Sequence, residues 1–277
     1  MGLEPLEQQQ NQTLAKALRI LDMFSAQQPE WGIRELGREL GINPTTVYRL
    51  VSTLSQAGFL EKNPETQAYS LGPKVVKLAG LYSHVHPITE VARRVFESYA
   101  DRFVHNFYLG KLSYYEVIYL TVLEGRAPIR VIVEPGGSTF IHSTALGKVL
   151  LAFQSDEYIQ NYLNRSPLTR FSNRTIVEPA VLLEQIEQIR RLGYAVNDGE
   201  QFEDIGAVAV PLFDPDRKGT LAISLTYPRH LIYEQRLAIP ELVALSNEIR
   251  DEISMRYSGK VQRSPGQENP PRAWILG

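Results

Sequence analysis

The sequence predicts a two-domain chain: a small all-α head with a β-hairpin, a connecting helix, and a larger α+β body built on an antiparallel sheet. Three observations predict it. Trp31 to Leu60 reads as two short amphipathic helices joined at Gly41, followed by a turn and a returning extended segment. Beyond residue 88, strand-like segments are grouped between helical ones without strict alternation, the pattern of an α+β layer. Finally, 277 residues with 43% apolar and 22% charged content suit two globular domains of ordinary size.

Residues 1–11 are polar and glutamine-rich and are expected to be a disordered tail, unlike a signal peptide. Thr13 is the expected N-cap of a first helix carrying Leu14, Ala17, Leu18, Leu21 and Phe24 on one face and stopping at Gln27-Gln28-Pro29. A second helix buries Ile33, Leu36 and Leu40 and turns Arg34, Glu35, Arg38 and Glu39 outward. Gly41 stands where a helix C-terminus favours positive φ. Asn43 then caps a third helix that opens on Pro44, where a missing N–H costs nothing. Val47, Leu50, Val51 and Leu54 fall at i, i+3, i+4 and i+7, so Thr45, Thr46, Tyr48, Arg49, Ser52 and Thr53 are left outside the seam. Hydroxyls and one guanidinium on an exposed helix suit phosphates and base edges in a major groove. The competing reading, an ordinary helical hairpin in a core, does not account for the segment after the third helix. There Gly58 ends the helix, Asn63-Pro64-Glu65-Thr66 is a turn, and Gln67 to Leu71 returns as a strand. Three helices and a hairpin form a winged helix-turn-helix over residues 12–71. Its DNA contacts are expected from Arg34, Asn43, Thr45, Thr46, Tyr48 and Arg49 on the helices, and from Lys62, Gln67 and Tyr69 on the wing.

Charge agrees in sign. The whole chain carries −2, but residues 11–85 hold eight Lys or Arg against six Asp or Glu, while residues 86–277 hold 21 against 23. There is no cysteine, which excludes disulfides, thiolate metal sites and thiol catalysis. No apolar run approaches the ~20 residues that span a bilayer. With no export signal, a cytoplasmic location without membrane contact is expected.

Several motifs agree together in order and spacing: Ala17-Leu18-Arg19-Ile20-Leu21, Pro44-Thr45-Thr46-Val47-Tyr48-Arg49-Leu50, Gly58-Phe59-Leu60 and Tyr69-Ser70-Leu71-Gly72. With them the chain resembles an IclR-type transcriptional regulator from about Leu14 to Arg256. The resemblance implies that Thr45, Thr46 and Arg49 meet operator DNA. It also implies that residues 72–87 form a linker helix that helps to pair the heads. Gly72-Pro73 opens that helix, with Val75, Val76, Leu78, Ala79 and Leu81 apolar through to about His84. At 1.5 Å per residue it spans roughly 20 Å. His84 and His86 have no cysteine or carboxylate cluster nearby and read as surface residues at a hinge, so no metal or cofactor is expected.

The body, residues 88–256, begins with a helix bearing Val91, Ala92, Val95, Phe96, Tyr99, Ala100 and Phe103. Strands are expected over 106–109, 114–123, 129–133, 194–197, 207–213 and 220–226. Helices are expected over 146–153, 156–163, 178–192 and 233–253. Tyr114, Tyr115 and Tyr119 cluster on the second strand, where aromatics more often serve the core or a subunit contact than a ligand. The family's effector domain is likewise α+β, GAF- or profilin-like. From Tyr257 the tail, with Trp274 and Ile275, lacks apolar periodicity and is expected to be disordered.

A ligand site is expected where Gly136-Gly137-Ser138 leads through His142-Ser143-Thr144-Ala145-Leu146-Gly147-Lys148 into an apolar helix. This is not a phosphate-binding P-loop, because His142 and Val149 stand where Gly and Ser or Thr are required. It is a helix N-terminus whose free N–H groups can hold a carboxylate. Tight helix–sheet packing explains Gly147 equally well. The stretch resembles the family's Thr-Ala-Leu-Gly-Lys signature, and Gly193-Tyr194-Ala195-Val196-Asn197 matches its Gly-Tyr-Ala-Val-Asp turn with Asn in place of Asp. Ala207 stands where many members have Cys, and Ser224-Leu225-Thr226 fits the Ser-x-Ser of the final strand. Alternation puts Ser224 and Thr226 on one face. The resemblance therefore implies an effector site at Ser143, Thr144, Ala145, Leu146, Asn197, Ala207, Ser224 and Thr226. The lost charge and bulk imply a roomier, less negative pocket for a larger organic acid or aromatic compound rather than a glyoxylate-like acid. No nucleophile elbow, dinucleotide glycine pattern or His-Glu-x-x-His occurs, and His142 beside Ser143 lacks an orienting carboxylate, so no enzyme is expected. The chain reads as an effector-switched regulator that binds a palindromic operator as a homodimer or homotetramer. The alternative is a ligand-binding or hydrolytic domain with a helical interaction module.

Overall fold

The computed structural model describes residues 11–25, 27–100, 106–126, 131–213, 220–233 and 239–258. Both expected tails therefore lie outside the described residues, apart from Asn11, Tyr257 and Ser258, and so does Phe103. The chain divides between His86 and Pro87 into two compact units.

In the first unit, α1 (Gln12–Leu21), α2 (Ile33–Leu40) and α3 (Pro44–Gln56) surround a core of Ile20, Leu36, Val47, Leu50, Val51 and Leu60. The start of α1 differs from expectation. Asn11, not Thr13, is the cap and accepts from the N–H groups of Thr13 at 3.1 Å and Leu14 at 3.2 Å. The helix stops at Leu21, and its buried stripe is rotated: Ile20 is fully buried, with Ala17, Leu21 and Phe24 packed around it, whereas Leu14 and Leu18 are exposed. Two apolar sets share Ala17 and Leu21, and only packing against α3 chooses between them. The turn follows the local chemistry. Gly41 is left-handed at φ 66°, Pro44 opens α3, and Asn43 Oδ1 accepts from the Thr45 N–H at 2.9 Å.

Strands β1 (Leu60–Lys62) and β2 (Tyr69–Leu71) pair antiparallel, Leu60 opposite Leu71 and Lys62 opposite Tyr69. The returning strand is shorter than expected because Gln67 takes φ 61° and belongs to the turn. Asn63 Oδ1 holds that turn by accepting from the N–H groups of Glu65 and Thr66. Helix α4 (Pro73–Val85) completes the unit and buries none of its residues.

The second unit is a six-stranded antiparallel sheet with helices on both faces. Its strands are β3 (Asn106–Ser113), β4 (Glu116–Leu123), β5 (Ser138–Thr139), β6 (Ala195–Asp198), β7 (Ile205–Phe213) and β8 (Thr220–Pro228), in the order β5-β4-β3-β8-β7-β6. Side chains alternate across it. Phe107, Leu109, Val210, Ile223 and Leu225 pack against α5 (Ile88–Tyr99) and α10 (Ile239–Ser258). Tyr108, Tyr119, Ala207, Ala209 and Ala222 face α6 (Ala145–Ala152), with α7 (Asp156–Arg165) and α8 (Pro179–Leu192) beyond.

Two expectations for the body are corrected. Tyr114 is not in a strand: with φ 53° it sits at the β3–β4 turn, because Ser113 pairs with Glu116. Residues 131–133 form no strand. The Val131 carbonyl is taken instead by the Tyr108 hydroxyl at 2.8 Å and Asn106 Nδ2 at 3.0 Å, so side chains replace the ladder. Helix is found at α9 (His230–Tyr233) and over α10, and residues 234–238 of the expected final helix lie outside the described residues. Among the described residues, no helix is long and apolar enough to cross a membrane.

Candidate functional site

On the head, α3 presents Thr45, Tyr48, Arg49 and Thr53 outward, with Thr46 and Ser52 half-buried beside them. The Thr53 hydroxyl donates to the Arg49 carbonyl at 3.0 Å, while the Arg49 guanidinium has no protein partner among the described residues. Arg34 on α2 is likewise exposed. Asn43 is exposed too, but its side-chain oxygen is committed to the helix cap.

The wing differs from expectation. Tyr69 is only 4% exposed and belongs to the core, where its backbone exchanges two hydrogen bonds of 2.9 Å with Trp31. The Trp31 bridge pins β2 with that ring inward, so Tyr69 does not present its face to DNA. Lys62 donates to Gln67 Oε1, and Gln67 Nε2 donates to the Pro64 carbonyl at 2.7 Å. Both wing side chains are exposed, yet each is held by the other or by the turn.

In the body, the sheet register assembles a second site. Asn197 pairs with Ala207, Ala207 with Thr226, and Ser224 with Tyr108. These positions lie side by side on the α6 face, in front of that helix's N-terminus. There they enclose about 450 Å³ of space, counting the mouth open to solvent. All eight residues expected at an effector site line this cavity. Six others join them: Tyr108, Val131, Gln201, Phe202, Ile205, and Tyr119, for which the sequence favours a core or subunit contact. Alternation along 106–109 could have flagged Tyr108, but nothing local marks Gln201. Tyr114 is on the turn, and Tyr115 packs instead beside Tyr158 and Tyr162.

The polar groups of the cavity are largely oriented by the protein. Thr144 caps α6 by accepting from the Gly147 N–H at 3.0 Å, which leaves the N–H groups of Ala145 and Leu146 without partners among the described residues. Asn197 Nδ2 donates to the Ser143 carbonyl at 2.5 Å, and its Oδ1 accepts from the N–H groups of Gly199 and Glu200. A carboxylate could not make the first bond, so the amide fits this wall for a structural reason. The Ser224 hydroxyl donates to the Val208 carbonyl at 3.1 Å and keeps only acceptor capacity. Burial raises the Tyr108 pKa and pushes that of Tyr119 up to about 12, so both phenols stay protonated. Among the described residues, the lining carries no charged side chain.

Behind the wall lies a buried ion pair that the sequence did not reveal. Lys148 Nζ donates to Glu200 Oε1 at 2.5 Å, and to Gln185 Oε1 and the Val196 carbonyl at 3.0 Å each. Burial pushes Lys148 down and Glu200 up, and each charge opposes the shift of the other. Gly147 proves to be a packing residue, since a Cβ there would lie 2.3 Å from the Ile141 carbonyl oxygen. His142 does not line the cavity. It is buried between Phe140 and Phe171, with Nε2 2.9 Å from the Thr169 carbonyl and Nδ1 3.3 Å from the Tyr162 hydroxyl. His84 and His86 belong to no metal-binding cluster among the described residues.

Comparison with known proteins gives consistent matches. Residues 13–64 match the family model described as the IclR helix-turn-helix domain, and residues 80–255 match that of the bacterial transcriptional regulator IclR C-terminal domain. The chain is 29% identical over 225 residues to the HTH-type transcriptional regulator BhcR of Paracoccus denitrificans, covering 81% of this chain and 80% of that one. A crystal structure described as a putative IclR transcriptional regulator from a Silicibacter species is 31% identical. It covers 87% of this chain and 96% of its own, with a TM-score of 0.77. An IclR homologue from Microbacterium hydrocarbonoxydans, solved in complex with 4-hydroxybenzoate, shares the fold at 22% identity. Its TM-score is 0.76, over 90% of this chain and all of that one.

Proposed function

Because the chain belongs to the IclR family of bacterial transcriptional regulators, we propose that it binds a palindromic operator through paired heads and is switched by a small organic acid held in the body. Its domains would be the head at 12–71, the linker at 72–87 and the effector domain at 88–256. It would act in the cytoplasm, where its operator lies.

The observation that carries the ligand half is the cavity itself. Residues from 108 to 226 converge on a neutral, partly aromatic space in front of two free helix N–H groups. Such a site suits one carboxylate on an apolar or aromatic body, because the N–H groups and the positive end of the helix dipole meet the anion. The 4-hydroxybenzoate in the Microbacterium homologue has that chemistry.

For the DNA half, the support is the exposed face of α3, with Thr45, Thr46, Tyr48 and Arg49 free to enter a major groove, flanked by Arg34 and the wing residues Lys62 and Gln67. A net local charge of only +2 makes one head a weak binder. Pairing is further supported by α4, whose Val76, Leu81 and Val85 are exposed on a helix of 13 residues. A helix that short is marginal in water without packing. A second copy of the chain would cover that face, giving a dimer or a dimer of dimers.

The test is a gel-shift titration of the protein on DNA from its own upstream region at several salt concentrations, with and without candidate acids. Site-specific binding with a negative salt slope, altered by an acid that also raises the melting temperature, is the expected result. Binding that ignores sequence, or no acid that changes it, would refute the reading.

A further inference from the structure

Gln201 has its amide aimed by its neighbours and only half used. Oε1 accepts from the hydroxyls of Thr139 at 3.0 Å and Ser143 at 3.4 Å. With both hydroxyls turned to Oε1, the free end of the amide is Nε2. Nε2, with two N–H groups, is left in the cavity wall without a protein partner among the described residues.

The backbone that presents Gln201 is held on both sides. Asn197 Oδ1 accepts from the N–H groups of Gly199 and Glu200, the Ser172 hydroxyl donates to the Gly199 carbonyl, and that of Thr175 donates to the Glu200 carbonyl. The Glu200 side chain is anchored on Lys148. A donor on such a support is pre-organised, so little ordering cost opposes its use by a ligand.

We propose that Gln201 is a specificity-determining residue of the effector site: Nε2 donates to the ligand carboxylate beside the free N–H groups of Ala145 and Leu146. The proposal rests on the reading of the cavity as a carboxylate site. Its consequence is selectivity. At Ala145, Leu146 and Gln201 the ligand's acid end meets neutral N–H donors, so an acid is accepted while its amide directs an NH₂ group against them and is rejected. A site built to hydrogen-bond one group discriminates strongly against an analogue that leaves its donors unpaired. Gln201→Glu keeps the shape and the bonds from Thr139 and Ser143, but replaces Nε2 by an acceptor facing the ligand's acid.

The experiment uses the full chain with benzoate, 4-hydroxybenzoate and 4-hydroxybenzamide, read by thermal shift and isothermal titration. Gln201→Met, which removes the donors without adding charge, is the second variant, and melting without ligand reports whether each variant folds. The expected result has three parts: a carboxylate binds the wild type, the amide does not, and both variants lose about tenfold or more in carboxylate affinity. Wild-type affinity in both variants, or equal binding of the amide, overturns the role of Gln201 and leaves the cavity reading standing. If no carboxylate stabilises the wild type, the cavity reading fails and this inference fails with it.

Discussion

Arg49 and His142 are both single side chains with a chemistry of their own, and burial separates their roles. Arg49 is exposed on α3, with no partner for its guanidinium among the described residues, so replacing it by Ala removes the proposed DNA contact without disturbing the head. Operator affinity in a gel-shift titration should fall by about 1–3 kcal/mol while the melting temperature holds. Unchanged affinity would remove Arg49 from the interface. His142 is buried with both ring nitrogens near protein partners, and burial holds its pKa below the usual 6.5. The folded chain thus favours the neutral ring. Above pH ~6.5 its contribution to stability is fully present, and it is lost as the pH falls from there toward the depressed folded value, because the unfolded chain binds the proton first. Denaturant midpoints should therefore drop between about pH 7 and pH 5, and less steeply in His142→Gln. Equal slopes for the two proteins would refute the assignment.

Among the elements, α6 joins packing to the proposed ligand chemistry. Its first turn offers free N–H groups to the cavity, and one turn further Lys148 ties it to the loop carrying Glu200 and Gln201. Replacing Lys148 by Met leaves Glu200 buried and unpaired, with an Oε2 that already lacks a partner. Loss of one partner from a buried pair costs about 3–5 kcal/mol, whereas removing both together is much milder. Lys148→Met should thus be far less stable in urea unfolding than Lys148→Met/Glu200→Leu. The reverse order would show that the pair is not what holds the loop. Much of this element was legible in the sequence, since its start after Ser143-Thr144 and its small Gly147 follow from capping and spacing. The target of Lys148, 52 residues away, was not, because periodicity carries no long-range partner.

For the whole molecule, the proposed switch needs an effector that binds the two arrangements of paired heads with different affinity; equal affinity would shift nothing. Helix α4 supplies the element to test. Leu81→Glu, at an exposed position of that helix, should leave monomer stability within about 0.5 kcal/mol. It should lower the association state seen in sedimentation and weaken operator binding with it. An unchanged oligomer and unchanged operator affinity would remove α4 from the pairing surface. Sequence and structure part company here too: the apolar residues of α4 were visible in the sequence, but that none of them is buried within the chain was not.

What the sequence determined by itself is local and periodic. Asn43-Pro44 starts α3, Gly41 ends α2 at positive φ, and alternation puts Ser224 and Thr226 on one face, because caps, turns and pleats act over a few residues. The residues that the resemblance names for an effector site each lie on a short motif with its own spacing, but it is the sheet register that brings them to one cavity. Only the tertiary structure decided that Ile20 rather than Leu14 and Leu18 enters the head core, that Tyr69 is a core residue, and that Val131 gives its carbonyl to side chains instead of a strand. It alone brought Tyr108, Tyr119 and Gln201 to the cavity wall and Lys148 to Glu200. The physical reason is that burial and pairing are settled between elements distant along the chain, where several apolar stripes and several partners satisfy the same local pattern and packing selects one.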